Sequence, residues 1–207
     1  MATAAPARVP YAVAARALLR DTLLDGALDL LRQRTWAEIT MADVAAAAGV
    51  SRQTLYSELG SRDALAQALV LREADRFVAE VEGAVEANLH DPAVAIAAAF
   101  DVFLTAAADN PLVAAVVSGG DDSLLPYVTT QGEPVVAQAT ERLAAVIAAG
   151  WPRVDKQAID LLAECVVRLA ISYAALPTGP AGMTAASVAT LLGPYLEQVV
   201  AEGERGS

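Results

Sequence analysis

The sequence predicts an all-α protein on three observations. Hydrophobic residues make up 56% of the 207-residue chain and alanine is heavily used, a composition that favours helices over sheets. Aromatic residues are only 5%, and no alternating run of Val, Ile, Thr and Tyr marks a strand. Apolar residues also recur at three- and four-residue steps between clusters of Gly, Pro, Ser and Asp.

The elements follow in order. Residues 1–12 read as an arm, loosened by Pro6 and Pro10. The first helix is expected from Val13 to Arg34, with Leu19, Leu23, Ala27, Leu30 and Leu31 on one buried face. Trp36 and Ile39, apolar residues in a short connection, are expected to plug the space beneath the next two helices. Thr40 can cap the helix "MADVAAAA", with Asp43 adding negative charge to its first turn. Gly49 permits the left-handed conformation that ends that helix. Ser51 caps "RQTLYSEL", Gly60 ends it, and Ser61 with Asp63 opens a long helix reaching about Leu89. His90-Asp91-Pro92 stops that helix, and His90 reads as a helix-end residue. Further helices are expected at Ala93–Ala108, Pro111–Val117, Glu133–Ala149, Val154–Ala175 and Thr184–Ala201, separated by loops at "SGGDD", "TTQGEP", "GWPR" and "PTGPAG".

Charge is uneven. Residues 1–72 hold eight Arg and seven Asp or Glu, net +1; residues 73–207 hold six Lys or Arg and eighteen acids, net −12, which together give the total of −11. An acidic body with one neutral or positive end suits a nucleic-acid binder that meets phosphate at that end only, and also suits ordinary scatter. The apolar run "AVAIAAAFDVFLTAAA" is interrupted by Asp101 before the ~18 residues of a span, so no membrane partner is expected. The N-terminus lacks the pattern of a signal peptide, and Cys165 is the single cysteine, so a cytoplasmic location is expected.

Two short helices with a glycine turn between them match a helix-turn-helix. The second helix of such a unit needs one face on the first and one bare face for the major groove. Leu55 and Leu59 lie about 40° apart and face inward. Gln53, Tyr56 and Ser57 lie elsewhere, with Arg52 at the N-terminal edge. Arg pairs with guanine and Gln with adenine, while Thr54 and Tyr56 can donate to phosphate. Thr40 and Ser61 stand at helix N-termini, which favour anions. Glu58 would be repelled by phosphate, but lies about 140° around from Gln53.

The stretch "TWAEITMADVAAAAGVSRQTLYSELGSRDALAQAL" resembles the DNA-binding region of the TetR family of transcriptional repressors. Thr40, Val44-Ala45, Ala48-Gly49-Val50-Ser51, Thr54-Leu55-Tyr56 and Ser61-Arg62-Asp63 carry the resemblance, which covers roughly residues 13–70. Gln53 stands where the family commonly has Gly, and Ser57-Glu58-Leu59 replaces an aromatic or His pair followed by Phe. The resemblance implies a helix-turn-helix domain over 13–62 and a ligand-binding and dimerisation domain over 63–207. It implies operator contacts from Thr40, Ser51, Arg52, Gln53, Thr54, Tyr56, Ser61 and Arg62 on double-stranded DNA.

Two C-terminal stripes, Ile159, Leu162, Val166, Leu169, Tyr173 and Val188, Leu192, Tyr195, Val199, repeat at near 3-4 spacing. Spacing alone allows intramolecular core or a dimer seam; the resemblance implies the seam, a homodimer and a palindromic operator. Phe77, Phe100, Phe103, Leu104, Val113, Val116, Leu125, Tyr127, Val136, Leu143 and Ile147 are the apolar candidates for an effector pocket, with plain core packing as the alternative. Little charge lies among them, so an apolar or amphipathic effector, such as an acyl chain, is expected. A ligand that favours one arrangement of the long helix would change the spacing of the two reading helices.

Catalysis lacks its usual tools. His90 is the single histidine, so His-pair metal sites and Ser-His-Asp triads with a second base are not expected. Cys165, beside Val166 and Val167, reads as core. Asp121-Asp122 reads as a cap for the following turn. No enzyme activity, metal or cofactor is expected. The alternative to a repressor is a helical ligand carrier whose two-helix unit has lost DNA contact, a reading that Glu58 and the acidic total keep open.

Overall fold

The computed structural model describes residues 10–117, 124–176 and 179–205. The "SGGDD" loop with Asp121-Asp122, most of the arm, and Pro177-Thr178 of the last loop lie outside the described residues. Ten α-helices follow one another, with no strand among the described residues: α1 (Tyr11–Leu31), α2 (Met41–Ala47), α3 (Arg52–Leu59), α4 (Arg62–Glu86), α5 (Pro92–Asp109), α6 (Pro111–Val117), α7 (Leu125–Val128), α8 (Glu133–Gly150), α9 (Lys156–Ala175) and α10 (Ala181–Arg205). A 3-10 turn, Trp36–Glu38, joins α1 to α2. The short α7 was not expected, because four residues are too few to show a period.

The chain divides into two compact units, Met1–Leu69 and Val70–Ser207. The expected boundary at residue 62 moves into α4. Its first two turns belong to the smaller unit, where Leu65 and Leu69 are buried.

In the smaller unit α1, α2 and α3 pack on one another. Leu23, Leu24, Ala27 and Leu28 of α1 are buried with Val44, Ala45, Leu55 and Leu59, and Trp36 and Ile39 fill the space between. The α2–α3 turn is a Schellman ending. Gly49 has φ 68°, and the Val50 and Gly49 amides donate to the Ala45 and Ala46 carbonyls at 2.9 and 3.1 Å. Glycine takes that backbone without Cβ strain.

In the larger unit α10 lies along α5, and α9 packs on α8 and α5. Asp91 caps α5, accepting from the Ala93 and Val94 amides, and Asp155 caps α9 in the same way through Gln157 and Ala158. Helix α5 is long and apolar enough to cross a membrane by length and composition. Its Ala95, Ile96, Ala99, Phe100, Leu104 and Ala107 are nonetheless buried in the protein's own core. Cys165, expected inside, is exposed, because its neighbours Val166 and Val167 take the buried side of α9.

Candidate nucleic-acid interface and effector cavity

Helix α3 buries Leu55 and Leu59 and turns Arg52, Gln53, Tyr56 and Ser57 outward. Tyr56 is 50% exposed, a large aromatic side chain half open to solvent. The Ser51 hydroxyl accepts from the Thr54 amide at 3.1 Å and lies 2.9 Å from the Thr54 hydroxyl. Ser51 and half-buried Thr54 therefore hold the start of the helix, and Arg52, Gln53 and Tyr56 form its free face. Ser61 opens α4 by accepting from the Ala64 amide at 3.1 Å.

Thr40 differs from the expectation of a free phosphate site. Its amide and hydroxyl both donate to Asp43 Oδ2, at 2.9 and 2.7 Å, and its hydroxyl oxygen accepts from the Asp43 amide. The carboxylate fills the position that an anion would take, and Arg34 stands 3.7 Å away from it. Arg62 also has a partner within its own unit. It is turned inward, with its guanidinium 5.2 Å from the Trp36 ring centroid and Nη2 donating to the Trp36 carbonyl.

Glu58 has a partner that the sequence did not reveal. Arg16 Nε of α1 lies 3.0 Å from both carboxylate oxygens. The acid on the reading helix is thereby neutralised from a position 42 residues away.

The larger unit contains an apolar cavity of about 140 Å³ walled by α4 to α9. Of the expected residues, Phe77, Phe100, Phe103, Val113, Val116 and Leu143 line it, with Phe77 and Phe103 edge to face at 5.4 Å. Leu104 lines a neighbouring hollow instead. Leu125, Tyr127, Val136 and Ile147 do not line the cavity. On α8 the inward row is Val135, Ala139, Leu143 at four-residue steps. Val136 lies about 60° off the centre of that row, and Ile147 sits one turn past it in the core. On α7 the wall is Val128. Sequence reasoning missed the face of α4 (Val70, Glu73, Ala74, Val78, Val81) and that of α9 (Val167, Ala170, Ile171). Their 3-4 spacing was legible, but not the empty space they face.

Glu73 is the one charged residue among the described residues of the lining and is only 3% exposed. Asn110 Nδ2 donates to its Oε2 at 2.7 Å. Arg76 Nη1 donates to Oε1 at 3.1 Å, and Arg72 Nε to the same oxygen at 3.2 Å. Farther along α4, Arg142 of α8 forks onto Glu82 at 3.0 and 2.6 Å and reaches Asp75 at 3.0 Å. Gln138 also donates to Asp75, at 2.6 Å. The Glu82 bond, followed by Asp75, raises the Arg142 pKa above its already high ordinary value. Helix α4 is thus pinned by polar contacts to both sides of an apolar hole.

The two C-terminal stripes are covered largely within the chain itself. Ile159, Leu162, Val166, Val188 and Val199 are buried in the chain's own core, and Leu169, Tyr173 and Leu192 pack against it. Val166 also lines the cavity. Periodicity marks a buried face but not its cover; here α5 and α8 supply that cover. Tyr195 stays partly exposed, and the free apolar residues on these helices are Leu161, Met183 and Leu191.

Comparison with known proteins places these features. Residues 23–69 match the family described as bacterial regulatory proteins, tetR family. Residues 91–194 match the bacterial tetracyclin repressor C-terminal domain. The HTH-type transcriptional regulator AlkX of Mycobacterium tuberculosis is 41% identical over 199 residues, covering 95% of this chain and 94% of that one. The crystal structure of the TetR family repressor AlkX from a Dietzia strain, implicated in biodegradation of n-alkanes, superposes with a TM-score of 0.78. Its sequence identity is 34%, over 87% of this chain and 96% of that one. These relatives are regulators rather than enzymes, which sets aside both catalysis and the carrier reading. The chain belongs to the TetR family and is a DNA-binding transcriptional regulator.

Proposed function

We propose that the chain is a dimeric repressor, released from a palindromic operator by an apolar or amphipathic molecule. The observation that carries this reading is α4. One unbroken helix, Arg62–Glu86, opens right after the exposed Arg52, Gln53 and Tyr56 face and supplies six residues of the cavity wall. A ligand that prefers one placement of α4 shifts the population that fits the operator. Coupling of about 1–3 kcal/mol changes operator affinity about 5–150-fold.

The cavity favours a hydrocarbon. Its walls are Val, Ala, Leu, Ile and Phe apart from Glu73, whose oxygens are already bonded. An n-alkane or related alkyl molecule is also compatible with the name of the Dietzia relative. The homodimer would form through the exposed side of α9 and α10, where Leu161 and Tyr195 share a groove and Leu191 lies open, 70% exposed. Such a regulator works in the cytoplasm, where its operator is.

Gel-shift titration against the flanking genomic DNA, in a salt series, tests the reading. Binding should weaken steeply with salt, with a log-log slope near −0.9 per phosphate neutralised, and an alkyl ligand should release the DNA. Absence of binding at low salt to any palindrome there would refute it.

A further inference from the structure

We infer that the apolar cavity and the hollow beside it are two compartments of one site, built for a linear molecule with an alkyl tail and a neutral hydrogen-bonding head. The inference rests on the reading that the cavity takes an apolar effector. The second hollow holds about 260 Å³ and shares two wall residues with the first, Val113 and Ala174. That valine and alanine, both half-buried, form part of the wall between them.

The two compartments follow each other along α5 and adjoin on α6 and α9. On α5 the first is walled by Ala99, Phe100 and Phe103 and the second by Leu104, Ala107 and Ala108. On α9 the two lie side by side: the first is walled from Val166 to Ala175, and the second by Tyr173 and Ala174 within that stretch. At 1.5 Å per residue the two together extend about 13 Å along α5.

Size separates a compact ligand from a long one. A cavity near 150 Å³ holds about one benzene, so the first compartment of about 140 Å³ is filled by a molecule of that size. The two together, 140 plus 260 Å³, give about 400 Å³, within the ~300–1,000 Å³ of ordinary ligand sites.

The polarity runs one way. Glu73 in the first compartment is occupied by Asn110, Arg72 and Arg76. The second compartment brings the Tyr173 and Thr184 side chains, each with a hydroxyl, and has no Lys, Arg or His among its described lining residues. A carboxylate head would be desolvated without a counter-charge. A neutral alcohol can exchange hydrogen bonds with the hydroxyls while its tail lies among Phe77, Phe100 and Phe103.

The test is calorimetric titration of the full chain with cyclohexane and with 1-alkanols from butanol to dodecanol. Affinity should rise about fourfold per methylene and continue to rise past the length that fills the first compartment. Ala114→Phe, from an exposed position that lines only the second compartment, should leave cyclohexane binding within twofold and weaken dodecanol at least tenfold. Tyr173→Phe should weaken dodecanol about fivefold and leave dodecane unchanged. Dodecanoate should bind at least tenfold more weakly than dodecanol. Dodecanol binding that survives Ala114→Phe, or falls together with cyclohexane, overturns the two-compartment site. Dodecanoate matching dodecanol overturns the neutral head. If cyclohexane and every alkanol fail to bind the unaltered chain, the effector reading itself is wrong.

Discussion

The bond between Asn110 and Glu73 joins α6 to α4 at the cavity edge, and its strength can be worked out. Asn110 makes two kinds of contact. Its Oδ1 caps α6, accepting from the Leu112 and Val113 amides at 2.9 and 3.4 Å, and its Nδ2 donates to Glu73 at 2.7 Å. A hydrogen bond to a charged group contributes about 1.5–3 kcal/mol. Breaking a buried ion pair costs more, about 3–5 kcal/mol, but Glu73 keeps Arg72 and Arg76, so the loss stays near 2 kcal/mol. Asn110→Ala would also remove the cap, adding about 1 kcal/mol. Asn110→Asp isolates the bond, since it keeps the cap and sets a carboxylate against a carboxylate; a loss of about 2–3 kcal/mol is expected. Glu73→Gln in the same chain lets Gln donate to the new Asp, and the pair should recover at least about 1 kcal/mol relative to additivity. Urea unfolding followed by circular dichroism measures all four proteins. The same contact ties two cavity walls together, so Asn110→Asp should also reduce the effector's release of DNA. An additive double variant would show that the bond does not hold the helices together.

Three further outcomes follow from contacts described above. Arg16→Ala should change stability by less than about 1 kcal/mol, because Arg16 is 70% exposed. It should nonetheless weaken operator binding several-fold in a gel shift by leaving Glu58 charged beside phosphate, and Glu58→Gln in the same chain should restore binding. The Thr40 hydroxyl, then its amide, with Arg34 and Arg52 nearby, holds the Asp43 carboxyl below its ordinary value of 3.8. This stabilises α2 fully above that value, and the stabilisation is lost as pH falls through the lower folded pKa. The melting-temperature gap between the unaltered chain and Asp43→Asn should therefore close in acid; a gap that persists there would contradict the cap. Leu191→Glu should yield monomers in sedimentation and abolish cooperative operator binding, whereas a dimer that tolerates this change must use another face.

Local chemistry was readable in the residues. Thr40, Ser51 and Ser61 can each cap a helix, and Gly49 and Gly60 can each end one. These effects act within about four residues, so the order of the helices and the exposed face of α3 followed from the sequence with shifts of a few residues at their ends. The caps also set which side of α3 could be bare, since Leu55 and Leu59 left one face for Arg52, Gln53 and Tyr56.

What a helix packs against was a different matter. The stripe Ile159, Leu162, Val166 announced a buried face equally well whether the cover was a second copy or α5 and α8. Cys165 was exposed although its neighbours are apolar, because successive residues on a helix turn 100° apart. Glu58 looked awkward until Arg16 closed on it, and nothing near Arg62 in sequence announced Trp36 as its neighbour. The cavity is a void left where side chains from six helices fail to meet, so no single stretch of sequence encodes it. The sequence by itself determined helix, cap, turn and family, all properties of short-range spacing. The tertiary structure alone decided which apolar face meets which, which charge is neutralised and where space is left open, because those depend on residues tens of positions apart arriving at the same place.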